Sequence, residues 1–439
     1  MKFEKLFYVI VSAALVVAFI LIGYVSSPLL FQAHDGSQAK KIYYVDHISP
    51  ALEKIIGKFN EKYNGQIEVV PINLPFEKFS TNERKELLTR FLRSKSDRID
   101  IFAVDQIWVP RFVKWGISLE KYIPLHEREN LLKYSMESCY SNNELIAAPL
   151  YIDIALMYYR DDLLRKLPGY EEIKAKLNSS ITWEDFIALK EKMPKGEAKP
   201  YYIFQADDYE GLICSFMEML SGQGGSIVSG DSVKLNTPGA VKAAQLLVDL
   251  VNKYHISPME VSDLKENPSY KYFIDNNCMF LRGWPSFLRE YKENPANRNM
   301  YNNLRTAPTP HFSGHKAVSV FGGWNLMISK FSSRIPESVI FINYLISREA
   351  QEILYSEGGY LPVNTSLYSD KKFLHAHPEL TLYRGMLDKG IHRPFLEHYT
   401  SISDILSYYL NLAIQNKMPV KEALDKATEK VNSKSILLK

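Results

Sequence analysis

Two apolar rhythms alternate along most of this chain. Residues 40–47 read as a strand around I-Y-Y-V-D-H. The next segment sets Leu52, Ile55, Ile56 and Phe59 at i, i+3, i+4 and i+7, the spacing of one helix face. Gly65 marks the turn into a second strand over 66–72. A second amphipathic helix follows over 84–93, with Leu87, Leu88, Phe91 and Leu92 expected to face inward. Residues 99–104 are apolar almost throughout, as a strand buried on both faces should be. This alternation predicts a parallel sheet with helices on both faces.

The pattern restarts after one stretch. Residues 148–162 read A-P-L-Y-I-D-I-A-L-M-Y-Y-R-D-D, with a proline, an aromatic and a carboxylate heading a β-prone run. One α/β set precedes it and another follows, so 149–153 is expected to cross between two lobes and line a cleft. A core strand whose aspartate caps the next helix would show the same local pattern. Beyond it, T-W-E-D at 182–185 caps and opens a helix. Residues 203–214 run from a strand into a helix, and Thr237-Pro238 starts another helix. The G-x-G-G at 222–225 lacks the strand-then-helix setting of a phosphate loop. F-L-R-G-W-P at 280–285 ends a strand with a tryptophan at its mouth. T-A-P-T-P at 306–310 is the second expected crossing, and 311–328 is expected to hold a hairpin-like pair of strands with F-G-G-W between them. A third crossing is expected near Ser347, before a helix that Gly358-Gly359 terminates. The fold class is thus α/β and bilobal, each lobe with a central, mainly parallel sheet. Lobe 1 takes 40–148 plus 307–346, and lobe 2 takes 149–306 plus 347–439.

The first 33 residues stand outside that pattern. Lys2 and Lys5 precede a charge-free run over 6–25, and about 20 apolar residues can span a bilayer. Val25-Ser26-Ser27 is a poor cleavage site, and Pro28 disfavours it further. An uncleaved signal-anchor with its lysine end inside is expected, with a cleaved signal as the alternative. Either one puts the remaining chain outside the cell membrane. No cysteine lies near this segment. Cys139, Cys214 and Cys278 are scattered and odd in number, which argues against a disulfide framework or a metal site. Lys plus Arg number 53 against 50 Asp plus Glu, a balance with no footprint for nucleic acid.

The residues at expected strand mouths are Asp105, Tyr151, Asp153, Tyr209, Glu210, Trp284, Gly323, Trp324 and Arg393. Rings can stack on the flat C–H faces of a sugar, while carboxylates and an arginine take its hydroxyls. A helical aromatic such as Trp108 is better read as core. Two carboxylates about 5–10 Å apart could instead hydrolyse a glycosidic bond, with Asp105 and either Asp153 or Glu210 as the pair. No nucleophile elbow, H-E-x-x-H or Cys–His signature occurs.

These residues also carry a resemblance. F-A-V-D-Q-I-W at 102–108, P-L-Y-I-D-I-A-L-M-Y-Y-R-D-D-L-L at 149–164, Q-A-D-D-Y-E-G-L-I-C at 205–214, R-G-W-P at 282–285, G-G-W-N-L-M-I-S-K at 322–330 and Arg393-Pro394 occur in family order. The chain resembles the extracellular solute-binding proteins of ABC sugar importers, in particular the trehalose/maltose-binding type. The resemblance implies a type II binding-protein fold with three crossings, a sugar in the cleft, and no catalysis or cofactor. Its implied partners are a permease with a separate ATPase, and the protein itself a monomer; the family's usual lipid-carrying cysteine is absent here, which fits the anchor expected over 6–25. Asp105, Tyr151, Asp153, Trp284, Gly323, Trp324 and Arg393 match sugar-contacting positions; Tyr209 and Glu210 match a motif beside them. Two departures bear on the ligand. Asp46-His47-Ile48-Ser49-Pro50 stands where the family often has a glutamate and a glycine-rich turn, and Ser286 stands where an aromatic is usual.

Overall fold

The computed structural model describes residues 39–433 except 77, 96–97, 194–199, 230–231 and 288–296. The expected membrane segment over 6–25 lies outside the described residues.

Strand β1 (Lys40–Asp46) leads to helix α1 (Pro50–Lys62). Ser49 caps α1 by accepting from Leu52 N, and Pro50 sits at the first helical turn, where its missing N–H costs nothing. The helix buries Ala51, Leu52, Ile55, Ile56 and Phe59, the face that its spacing marks out. Strand β2 (Ile67–Asn73) pairs parallel with β1. Helix α2 (Thr81–Arg93) opens on a reciprocal capping box between Ser80 and Glu83. Strand β3 (Ile101–Asp105) pairs parallel with the other edge of β1.

Helix α2 departs from the expectation. It turns Arg84, Lys85, Leu88, Thr89 and Leu92 inward, while Phe91 is 38% exposed and Leu87 only partly covered. The reason is charge pairing across the fold. Arg84 reaches Asp46 at 2.9 Å, and Lys85 reaches Asp404 at 3.4 Å. Helix periodicity alone does not weigh such distant partners.

Strand β4 (Ala148–Ile154) belongs to the sheet of β1–β3, and strand β5 (Leu156–Arg160) belongs to a different sheet. The single residue Ala155 separates them, and its N–H donates to Val320 O at 3.0 Å. Strand β6 (Tyr202–Ile203) and helix α3 (Glu210–Gly222) follow, then β7 (Phe280–Gly283) and β8 (Leu304–Ala307). The second sheet has the order β8-β5-β7-β6; its β8–β5 and β5–β7 pairs are antiparallel and its β7–β6 pair is parallel.

Strand β9 (Ser319–Ile328) returns to the first sheet, between β3 and β4 and antiparallel to both. It is one continuous ten-residue strand, so the hairpin expected over 311–328 is not formed. Adjacent glycines usually mark a turn, but Gly322 and Gly323 serve another purpose. Gly323 has φ +127, and a Cβ there would lie 2.5 Å from Tyr151 O. Only glycine lets the two strands pass so closely, and the register then shifts between Trp324 and Asn325. Helix α4 (Arg348–Gly358) ends on Gly359 in the left-handed conformation. Strand β10 (Gly390–Ile391) pairs with β9, and helix α5 (Tyr399–Ile414) packs against α3.

Candidate functional site

The carboxyl ends of β1, β2 and β3 face helices α3 and Glu266–Asp275 across one cleft of about 1070 Å³. Ligands of open α/β sheets collect at such strand ends. Of the nine expected site residues, all but Tyr209 border this cleft. Tyr209 is buried behind its wall, with its ring folded so close over Gly211 that a Cβ there would meet the hydroxyl oxygen at 2.1 Å.

Asp105 ends β3, and its Oδ1 accepts from Ile107 N at 3.2 Å, capping the short turn that follows. The same oxygen accepts from Arg393 Nη2 at 3.1 Å. Arg393 Nη1 donates to Glu210 Oε1 at 2.7 Å. One guanidinium, 2% exposed, thus ties the end of β3 to the first residue of α3. Glu210 also accepts from Tyr399 Oη at 3.0 Å and from the Ser403 hydroxyl, both on α5. Burial pushes the Glu210 carboxyl above its ordinary value, with Arg393 pulling the other way.

Tyr151 lies opposite Trp324 in the β4–β9 register, its ring 4.5 Å from that of Tyr360. Burial holds its hydroxyl well above the usual tyrosine range, with Tyr360 and Asp153 adding to the shift. Asp153 borders the cleft two residues along the same strand face. Trp284, half-buried, directly follows β7 of the second sheet. A Cβ on Gly322 would meet the Trp284 ring at 3.0 Å and the Asp153 Cβ at 3.1 Å, so the bare glycine lets ring and carboxylate draw together.

Trp324 borders the cleft but is only 7% exposed. The Arg84 guanidinium lies 4.0 Å from its ring centre, and Phe76 and Trp108 meet it edge-on at 5.6 and 5.3 Å. Most of the ring is therefore packing, and an edge remains for a ligand.

Several cleft residues escaped the sequence reading. Phe76 lies just past the end of β2, the position that flagged Asp105 after β3, yet no motif drew attention to it. Tyr360 follows the Gly358-Gly359 helix stop. Glu266 opens a helix on the far wall, and burial raises its carboxyl above the ordinary value. Among the described residues, no group of three His, Cys, Asp or Glu side chains could hold a metal ion.

Residues 46–352 match the bacterial extracellular solute-binding proteins. The chain belongs to that family. The solute-binding architecture is the type II bilobal one. A probable ABC transporter-binding protein of Deinococcus radiodurans is 27% identical over 338 residues, 74% of this chain and 78% of the relative. The maltose-bound structure of T. maritima MalE3 is 27% identical, with a TM-score of 0.81, and the match covers 90% of this chain and 100% of that one. A Thermotoga lettingae solute-binding protein with bound α-D-tagatose shares the fold, with a TM-score of 0.78 at 20% identity over 92% of this chain and 100% of that one. These matches agree with the solute-binding resemblance drawn from the sequence. The breadth of their ligands leaves the solute itself to the chemistry of this cleft.

Proposed function

We propose that this chain is the extracytoplasmic sugar-binding subunit of an ABC importer. It takes an α-glucoside such as trehalose, maltose or a short maltooligosaccharide between its lobes and delivers it to a permease driven by a separate ATPase. The observation that carries this reading is that Trp324 of the first sheet and Trp284, just past the end of β7 in the second, border one cleft with Asp105, Tyr151 and Asp153. Aromatic faces take C–H surfaces, and hydrogen bonds to ionised partners contribute about 1.5–3 kcal/mol each. The similarity to a maltose-bound structure over 90% of the chain supports an α-glucoside in particular.

Glycoside hydrolysis is the second reading, favoured by the raised carboxyl of Glu210, which suits a general acid. Against it stands the engagement of both carboxylates. Asp105 and Glu210 share Arg393, and Glu210 accepts from two further hydroxyls. Oxygens held by three donors are not free to turn toward a glycosidic oxygen. We read the protein as a binder.

The test is heat stabilisation by trehalose, maltose and longer α-glucans, with released glucose assayed in parallel. Stabilisation without turnover is expected; sustained glucose release would overturn the binding reading. Trp284→Ala should weaken binding by about 2–4 kcal/mol, roughly thirty- to a thousand-fold, with little change in sugar-free melting. Trp324→Ala should lose both affinity and stability, because its ring is mostly packing.

A further inference from the structure

Each cleft tryptophan has a buried arginine behind it. In the first lobe, Arg84 from α2 lies 4.0 Å from the Trp324 ring centre and 4.2 Å from that of Phe76. Those two rings meet at 72°, so the guanidinium fills the angle between them. Both rings border the cleft; Arg84 lies beneath them, its side chain 3% exposed. Its Nη2 is fixed by Asp46 Oδ1 at 2.9 Å. Asp46 is itself fixed, accepting from Tyr44 Oη at 2.5 Å and from His47 N at 2.7 Å. Among the described residues, Nε and Nη1 of Arg84 have no hydrogen-bond partner. The group is thus held by one carboxylate and by two aromatic rings.

The second lobe repeats the device. Arg282 lies 4.9 Å from the Trp284 ring centre. Glu218 accepts from its Nη2 at 2.7 Å and its Nε at 3.3 Å, and Gln205 Oε1 accepts from its Nη1 at 3.1 Å. This side chain is also buried.

We propose that Arg84 and Arg282 are positioning residues that fix the planes of Trp324 and Trp284, and so set which sugars the cleft accepts. The inference rests on the sugar-binding reading above. A tryptophan ring at a cleft edge can swing about two side-chain torsions. A planar guanidinium lying against it, itself locked by a carboxylate, restricts that swing before ligand arrives, together with Phe76 and Trp108 at Trp324. Ring planes held in advance discriminate between sugars whose C–H faces are angled differently, as in two glucoses joined 1,1 or 1,4. Asp46 ends β1, where a carboxylate could have faced the ligand, but here it is turned to holding Arg84. Lysine cannot substitute in this role, since it keeps the charge but lacks the flat face.

The experiment compares the full chain with Arg84→Lys and Arg282→Lys. Maltose and trehalose affinities are measured calorimetrically, far below each variant's melting temperature. Near-ultraviolet circular dichroism is recorded on the sugar-free proteins. Each variant is expected to bind maltose up to about tenfold more weakly, the most that ordering one loosened side chain on binding costs. The maltose-to-trehalose ratio should shift, and the tryptophan dichroism should change. An arginine that only supports the fold would lower the melting temperature and leave affinity and ratio alone, because nearly all molecules are still folded in the cold. Unchanged affinity and ratio in folded variants would therefore overturn the inference while the sugar reading stood. Should Arg84→Lys not fold, Arg282→Lys carries the same test independently. A wild-type protein that binds no α-glucoside would bring down the sugar reading, and the inference with it.

Discussion

Glu210 holds a buried carboxylate at the edge of the cleft, and its environment is divided. Burial, the largest influence, raises its carboxyl above the ordinary 4.5, while Arg393 and Ser403 pull it down. A raised folded-state value means that the folded protein binds a proton the unfolded chain has released. The associated stability is therefore fully present below 4.5 and lost as pH climbs through the raised value. Glu210→Gln keeps the shape and cannot titrate. Its melting temperature should gain on that of the wild type as pH rises from about 4 to 7. A gap between the two that stays constant or closes over that range would show the carboxyl is not shifted as described. The identity of Glu210 as a strand-mouth carboxylate was readable in Q-A-D-D-Y-E-G, but its partner was not. Arg393 lies 183 residues away, and Asp105, the other end of the bridge, lies 288 residues from Arg393. Tyr209, its neighbour in the same motif, points into the wall instead. One peptide unit decides which of the two side chains faces the cleft, and composition cannot tell them apart.

Strand β9 is the element on which the site is hung. It runs between β3 and β4 and brings Gly322, Gly323 and Trp324 to the cleft in sequence. Its glycines looked like a turn because turns are where adjacent glycines and aromatics usually fall. In the folded protein they answer a crowding problem that exists only once β4 is alongside. Gly323→Ala forces a side chain into a left-handed backbone and against Tyr151 O and Ile152 Cα, at 2.5 and 2.9 Å. Neither obstacle is a movable side chain. The change should cost about 2–5 kcal/mol in chemical unfolding. Gly65→Ala is the control, with φ +75 but open space around it, and should cost only about 1 kcal/mol. Equal costs at the two sites would show that strand crowding is not what selects glycine at 323. Helix α2 teaches a related lesson from the other direction. Its buried face carries Arg84 and Lys85 because Asp46 and Asp404 wait for them on other elements.

At the scale of the whole molecule, the two sheets are joined where β4 passes into β5 at Ala155 and where β8 leads on to β9. The first lobe also touches α5 through polar pairs: Asn82 Nδ2 donates to Asp404 Oδ1 at 3.0 Å, and Arg111 Nη1 to Thr400 Oγ1 at 2.8 Å. Among the described residues no helix is long and apolar enough to cross a membrane. We propose that the apolar run over 6–25 tethers these lobes to the outer face of the cell membrane. After a high-salt wash the protein should stay with the membrane fraction and begin at Met1 or Lys2. A soluble species beginning near Pro28 or later would mean that the segment is removed.

The local rules of the sequence determined much of this protein. Caps, helix faces and buried strands depend on residues within a few positions of one another. The caps at Thr182 and Thr237 and the apolar face of α1 were legible on that account. So were eight of the residues bordering the cleft, because a polar or aromatic side chain just past a buried strand stands out against its neighbours. Tertiary structure alone decided the remainder. It turned Arg84 inward, made one strand of 319–328, placed Phe76, Tyr360 and Glu266 on the cleft wall, and packed Trp324 between Arg84, Phe76 and Trp108. Each of these outcomes is settled by a partner far along the chain, whose nearness costs nothing more once the two sheets have already closed the loop between them.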